Sequence, residues 1–114
     1  MNRISTHVLD LARGKPAQNV KVSLDGRDAS GEWKLIAVSH TDIDGRCAQL
    51  LPDGAALEPG VYRLNFDTAA YQHAQNTQSL YPAIDVIFQV RKGEAQFHLP
   101  LLLSPNGYTT YRGS

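Results

Sequence analysis

Apolar and polar residues alternate with a period of two along most of this chain, which is the signature of half-buried strands. In RISTHVLDL, residues 3–11, Ile4, Thr6, Val8 and Asp10 share one face, while Ser5, His7, Leu9 and Leu11 share the other. GKPAQN breaks that run, and Val20, Val22 and Leu24 begin the next alternation in VKVSLDGRD. EWKLIAVSHT, residues 32–41, is rich in β-forming residues, and Val61–Phe66 follows Pro59-Gly60 as another short strand. AIDVIFQV alternates Ile84, Val86, Phe88 and Val90, RKGEA turns, and AQFHLPLLLS and YTTYRGS complete the set. Asp-Gly pairs in DIDGR and LPDGA mark further turns.

One segment departs from this period. DTAAYQHAQN, residues 67–76, combines good helix formers with Asp67 or Thr68 as N-cap, which predicts a helix of about two turns. Seven or eight short strands with turns at near-regular spacing predict a mainly β sandwich forming one domain, residues 1–114. The run Leu99–Leu103 is unusual because the opposite phase, His98, Pro100 and Leu102, also has apolar character. A strand wet on one face alternates more strictly, so this phase suggests cover by another subunit. Pro100 has no amide to donate and predicts an edge or a bulge.

Composition narrows the function. Eleven basic side chains balance eleven acidic ones, and a neutral chain lacks the basic excess with which nucleic-acid binders displace counterions. The start, MNRISTHVLDLARGKP, has no apolar core of a signal peptide, and no stretch is long and apolar enough to span a membrane. A single cysteine, Cys47, rules out an intrachain disulfide and a thiolate zinc cluster, so the expected setting is reduced and cytoplasmic.

Candidate chemistry rests on few residues. Of the four histidines, His7 and His98 lie on strands, where geometry is held tightly, whereas His40 ends a strand and His73 sits among polar helix neighbours. No two have metal-ligand spacing, and DIDG lacks the later ligands of a calcium loop. Arg46, just past a fixed turn, can present its planar donor fork to a carbonyl or an anion. No Ser-His-Asp order or Gly-x-Ser-x-Gly elbow indicates a serine nucleophile. The ending Tyr111-Arg112-Gly113-Ser114 concentrates recognition groups where a chain usually frays.

Four stretches together, STHVLD with GKPA, TDIDGR, FHLPLLLSPNGY and the closing TYRGS, resemble the transthyretin-related family and its enzyme branch, the 5-hydroxyisourate hydrolases. The Tyr-Arg-Gly-Ser ending is the most discriminating, since the hormone-carrying transthyretins lack it. The resemblance implies a two-sheet, eight-stranded sandwich with one short helix. It implies a homotetramer, a dimer of dimers whose facing sheets enclose a channel lined by the HLPLLLS strand and the last strand. It implies a hydrolase of 5-hydroxyisourate that needs no metal or cofactor, with His7, Arg46 and His98 as catalytic residues. Tyr111 and Ser114 would contact substrate with Arg112 supporting them, pinned through the α-carboxylate of Ser114, and Gly113 would admit close backbone approach to the substrate. Gln96 stands where the family often has another histidine. The rival expectation is a carrier that binds a small aromatic ligand without turnover.

Overall fold

The alternating segments close into two sheets in the computed structural model, which describes residues 2–114. In chain order the elements are β1 (Arg3–Asp10), β2 (Lys15–Pro16), β3 (Lys21–Arg27), β4 (Trp33–His40), β5 (Arg46–Cys47), β6 (Gly60–Phe66), α1 (Thr68–Ala74), β7 (Ile84–Val90), β8 (Gln96–Ser104) and β9 (Gly107–Thr110). One sheet runs β2-β1-β8-β9, with β5 also paired to β1, and the other runs β4-β3-β6-β7. The expected two-layer sandwich with a single short helix is therefore observed among the described residues. β2 falls in the GKPAQN break and β5 just past the Asp-Gly turn, and the sequence shows neither as a strand because a two-residue piece carries no periodicity of its own.

The inward phases meet between the sheets. Ile4, Val8, Leu101 and Leu103 from one sheet are fully buried with Val22, Leu24, Leu64 and Val90 from the other. Burying each such side chain stabilises the fold by roughly 1.5–3 kcal/mol before entropy is counted. The helix is capped by Asp67, whose side chain accepts from the Ala70 amide at 3.2 Å.

β1 and β8 pair in parallel over eight residues, setting Ser5 opposite His98 and His7 opposite Pro100. β8 is thus a central strand, flanked by β1 and β9 without a register shift, which corrects the expectation of an edge or bulge at Pro100. Both the Pro100 carbonyl, which accepts from Thr110 Oγ1 at 2.8 Å, and the His98 carbonyl face the β9 side. The missing proline amide faces that side too, just past Thr110, where the β9 ladder stops.

The core phase of β1 ends on a carboxylate, Asp10, which is 1% exposed. Tyr71 Oη from α1 donates to its Oδ2 at 2.7 Å, and Arg13 Nη1 donates to the same oxygen at 2.9 Å. Arg13 also donates to the Gln75 carbonyl and Thr77 Oγ1, so one ionic cluster fastens the helix to β1. Burial works to raise the Asp10 pKa, but the Tyr71 and Arg13 hydrogen bonds outweigh it and leave the carboxyl below its ordinary 3.8. Asp10→Asn is expected to lower unfolding stability at neutral pH by about 2 kcal/mol, from the loss of charge-assisted hydrogen bonds. A depressed carboxyl stabilises above its unfolded pKa and ceases to do so as pH falls through its folded one. The deficit, measured by urea melts, should therefore shrink as pH drops below 3.8.

Candidate active site

Arg46 is placed by its turn. Asp42 Oδ1 accepts from the amides of Asp44 at 2.9 Å and Arg46 at 3.0 Å, closing the Asp42–Gly45 loop on itself. Gly45 has φ +77°, and a Cβ there would run into the Val8 carbonyl oxygen. Only glycine lets this turn approach β1, where the Val8 amide donates to the Gly45 carbonyl at 2.7 Å. The next residue pairs antiparallel with β1 and stands directly opposite His7. The alternate residue, Cys47, points into the core, and burial raises its thiol pKa above 9.0, so it carries no thiolate at neutral pH.

His98 stands on the same outward phase, paired with Ser5 one step along β1 from His7. Its Nδ1 lies 2.8 Å from Ser5 Oγ. Burial, and then the neighbouring His7 and Arg46, hold the His98 pKa below its ordinary 6.5. His98 is thus predominantly neutral at physiological pH, with a lone pair available on one ring nitrogen.

The tail does not continue β9 as an unbroken strand. It leaves the ladder after Thr110 and returns at Gly113, whose amide donates to the His98 carbonyl at 2.7 Å. A Cβ on Gly113 would sit 2.7 Å from His98 Cδ2 and 3.3 Å from Pro100 Cγ. The close approach that requires glycine is therefore to the histidine ring, whereas the sequence suggested approach to substrate. Arg112 also departs from expectation, closing on Glu94 Oε2 at 3.0 Å in place of the terminal carboxylate. Its other nitrogen donates to the Gln96 carbonyl at 3.0 Å, and its guanidinium lies 4.3 Å over the Phe97 ring. The Arg112 hydrogen bond, with Arg91 and its amide helping, keeps the Glu94 carboxylate ionised below its ordinary pKa.

A cleft of about 390 Å³ opens among these groups, lined by Arg46, Gln96, His98, Arg112, Gly113 and Ser114 together with Arg3, Ser5, Thr6, Cys47, Ala48 and Phe97. His7 borders Arg46 in register without lining the cleft, and Tyr111 stands outside it, 53% exposed. The structure so gathers His98, Arg46 and Ser114 around one cleft, with His7 opposite Arg46 on β1, and leaves Tyr111 outside that lining. Sequence reasoning missed Ser5 and Glu94 because each acts on another side chain across the fold. Their only signal was phase for Ser5, which shares a strand face with His7, and a turn position for Glu94. Among the described residues, no group of three or more His, Cys, Asp or Glu side chains is placed to hold a metal ion, and no helix is long and apolar enough to cross a membrane.

Residues 4–113 match the HIUase/Transthyretin family. The mouse (Mus musculus) 5-hydroxyisourate hydrolase is 45% identical over 112 residues, covering 97% of this chain and 94% of that protein. Among solved structures, the 5-hydroxyisourate hydrolase of Klebsiella pneumoniae superposes with a TM-score of 0.85 at 37% identity, covering all of both chains. The transthyretin of Sparus aurata superposes with a TM-score of 0.91 at 32% identity, covering 99% of this chain and 97% of that one. The backbone is shared by enzymes and transthyretins alike, so fold similarity does not separate them, whereas sequence identity is higher to the hydrolases. On its sequence and on its fold, the chain belongs to the HIUase/Transthyretin family.

Proposed function

We propose that this chain is an enzyme of urate degradation that hydrolyses 5-hydroxyisourate, opening its six-membered ring to 2-oxo-4-hydroxy-4-carboxy-5-ureidoimidazoline. The observation that carries the reading is His98, with its pKa lowered, lining a cleft with Arg46 and neighboured by His7 on β1. A carrier of an apolar ligand has no use for a neutral imidazole flanked by a second imidazole and a guanidinium. The hydrolases among its relatives are named for this substrate.

Ring opening requires an activated water, a donor for the attacked carbonyl oxygen and a proton for the departing nitrogen. One imidazole takes a proton from water as the hydroxide oxygen bonds to the carbonyl carbon. Arg46 donates to the oxygen that becomes negative in the tetrahedral intermediate. Collapse breaks the carbon–nitrogen bond, and the imidazolium returns its proton to the nitrogen, which leaves as a ureido NH2. Ser114, which lines the cleft with His98, would contact the heterocycle, while Arg112 acts through the tail that it clamps to Glu94. The outward, half-buried Leu9 and Leu102 would lie on the face that a second copy covers in a tetramer, and Tyr111 would then reach substrate within the channel so enclosed.

Urate oxidase can supply the unstable substrate in place, and decay is followed by ultraviolet absorbance. Acceleration over spontaneous decay is the expected result, and saturable binding without acceleration would leave the carrier. The pH profile adds a sharper expectation. A depressed pKa keeps the ring unprotonated further into acid, so kcat/KM should hold from about pH 8 down to 6.5 and decline only below it. An acid limb centred above 6.5, or none down to about pH 5, would remove His98 as the titrating group.

A further inference from the structure

We propose that Ser5 is a positioning residue that holds His98 in the tautomer with its proton on Nδ1, leaving Nε2 as the base that takes the proton from water. This rests on the hydrolase reading above and deepens it, because the arrangement of strands alone does not say which imidazole is the base.

Ser5 Oγ has two neighbours, His98 Nδ1 at 2.8 Å and the Phe97 carbonyl oxygen at 3.5 Å. A serine hydroxyl has one proton to give and two lone pairs with which to accept. Ser5 is only 7% exposed, and the acceptors that the fold offers its proton are the Phe97 carbonyl oxygen and His98 Nδ1. If the proton goes to Phe97, Oγ accepts from Nδ1–H and both contacts are satisfied. If it goes to Nδ1, the Phe97 contact is lost and the remaining ring proton sits on Nε2.

The cleft favours the first arrangement. Nδ1 is engaged by Ser5, so Nε2 is the ring nitrogen left for the cleft that His98 lines. The charged and titratable groups around it are Arg46 and the neutral Cys47 thiol from β5, His7 and Arg3 from β1, Arg112 from the tail, whose partner is Glu94, and the α-carboxylate of Ser114. These are mainly donors and cations, which attract a lone pair on Nε2 and repel an N–H there. When Nε2 then takes the water proton, the imidazolium donates from both nitrogens. Nδ1–H already points at Ser5 and nothing need rotate. A neutral hydroxyl also orients the ring without the charge that would protonate it early, in keeping with the lowered pKa.

The direct test is nitrogen-15 NMR of the histidine rings in the intact chain at about pH 8, where His98 is neutral. Expected is a protonated Nδ1 and an unprotonated Nε2 for His98, assigned by its disappearance in His98→Gln. The opposite pattern would overturn the proposal. Ser5→Ala should mix the tautomers and lower kcat about tenfold with KM nearly unchanged, the effect of one lost orienting hydrogen bond. Ser5→Thr, which keeps the hydroxyl, should recover both the spectrum and the rate. A Ser5→Ala protein with wild-type tautomer and wild-type kcat would also refute it. The NMR result does not depend on turnover, so a chain that failed to hydrolyse 5-hydroxyisourate would sink the hydrolase reading while still reporting the tautomer.

Discussion

His98→Ala is expected to lower kcat by roughly 100- to 10,000-fold, the contribution usual for a positioned general acid or base. The loss should appear in kcat and kcat/KM together, because the proton transfer occurs only on the way to the transition state. The fold should survive. His98 lies on the outward phase of β8, and the inward phase of Leu99, Leu101 and Leu103 is untouched by the substitution. Far-ultraviolet circular dichroism and size-exclusion elution are expected to match the wild type. The alanine also removes the ring against which Gly113 packs, so His98→Asn is the companion variant. It keeps a polar side chain of similar breadth without a titratable nitrogen, and should be equally inactive. Wild-type turnover in either protein would take His98 out of the chemistry and leave His7 as the base.

Phase was the most legible feature of this sequence, and it carried both the fold and half of the site. Alternation put His7 and Ser5 on one side of β1, and His98 with Pro100 and Leu102 on one side of β8, as the structure has them. It also placed Asp10 on the inward side, where it serves as the buried anchor of the helix. What alternation does not contain is the partner of each strand. The parallel pairing of β1 with β8 joins residues 93 positions apart, as Ser5 and His98 are, and no local pattern specifies it. Alternation therefore carries neither the nearness of His7 to His98, which only the family resemblance implied, nor the contact of Ser5 with His98.

Turn chemistry was the second legible layer. The Asp-Gly pair located the bend before Arg46, but the pairing of Arg46 with His7 depends on Gly45 meeting the Val8 carbonyl, a long-range contact. The tail shows the limit most clearly. Arg112 and Ser114 suggested an internal charge pair by nearness in sequence, yet the guanidinium spans to Glu94 and the Gln96 carbonyl. Glu94 sits in the turn that leads into β8, so the clamp ties the chain's last residues to the start of the strand that carries His98. Positioning the tail and positioning the histidine are one structural problem.

That coupling makes Gly113→Ala the second large expected loss, about 100-fold in kcat/KM, typical when reacting groups are displaced by about 1 Å. The new Cβ would stand 2.7 Å from His98 Cδ2, closer than carbon atoms approach without strain. Two responses are available: the ring turns away from Ser5, or the tail lifts and the Gly113–His98 backbone hydrogen bond opens. The first moves the base off its hydrogen bond, and the second carries Ser114 out of the cleft. Because Gly113 is not held at a positive φ, backbone strain does not enter, and the penalty comes mainly from the ring contact, with Pro100 Cγ at 3.3 Å a lesser one. The double variant Gly113→Ala with His98→Ala should consequently be no worse than His98→Ala alone, the non-additivity expected of two residues in contact. Kinetics of the four proteins in that cycle decide the matter. Full independence of the two losses would mean that Gly113 serves the tail for some reason other than its contact with the histidine.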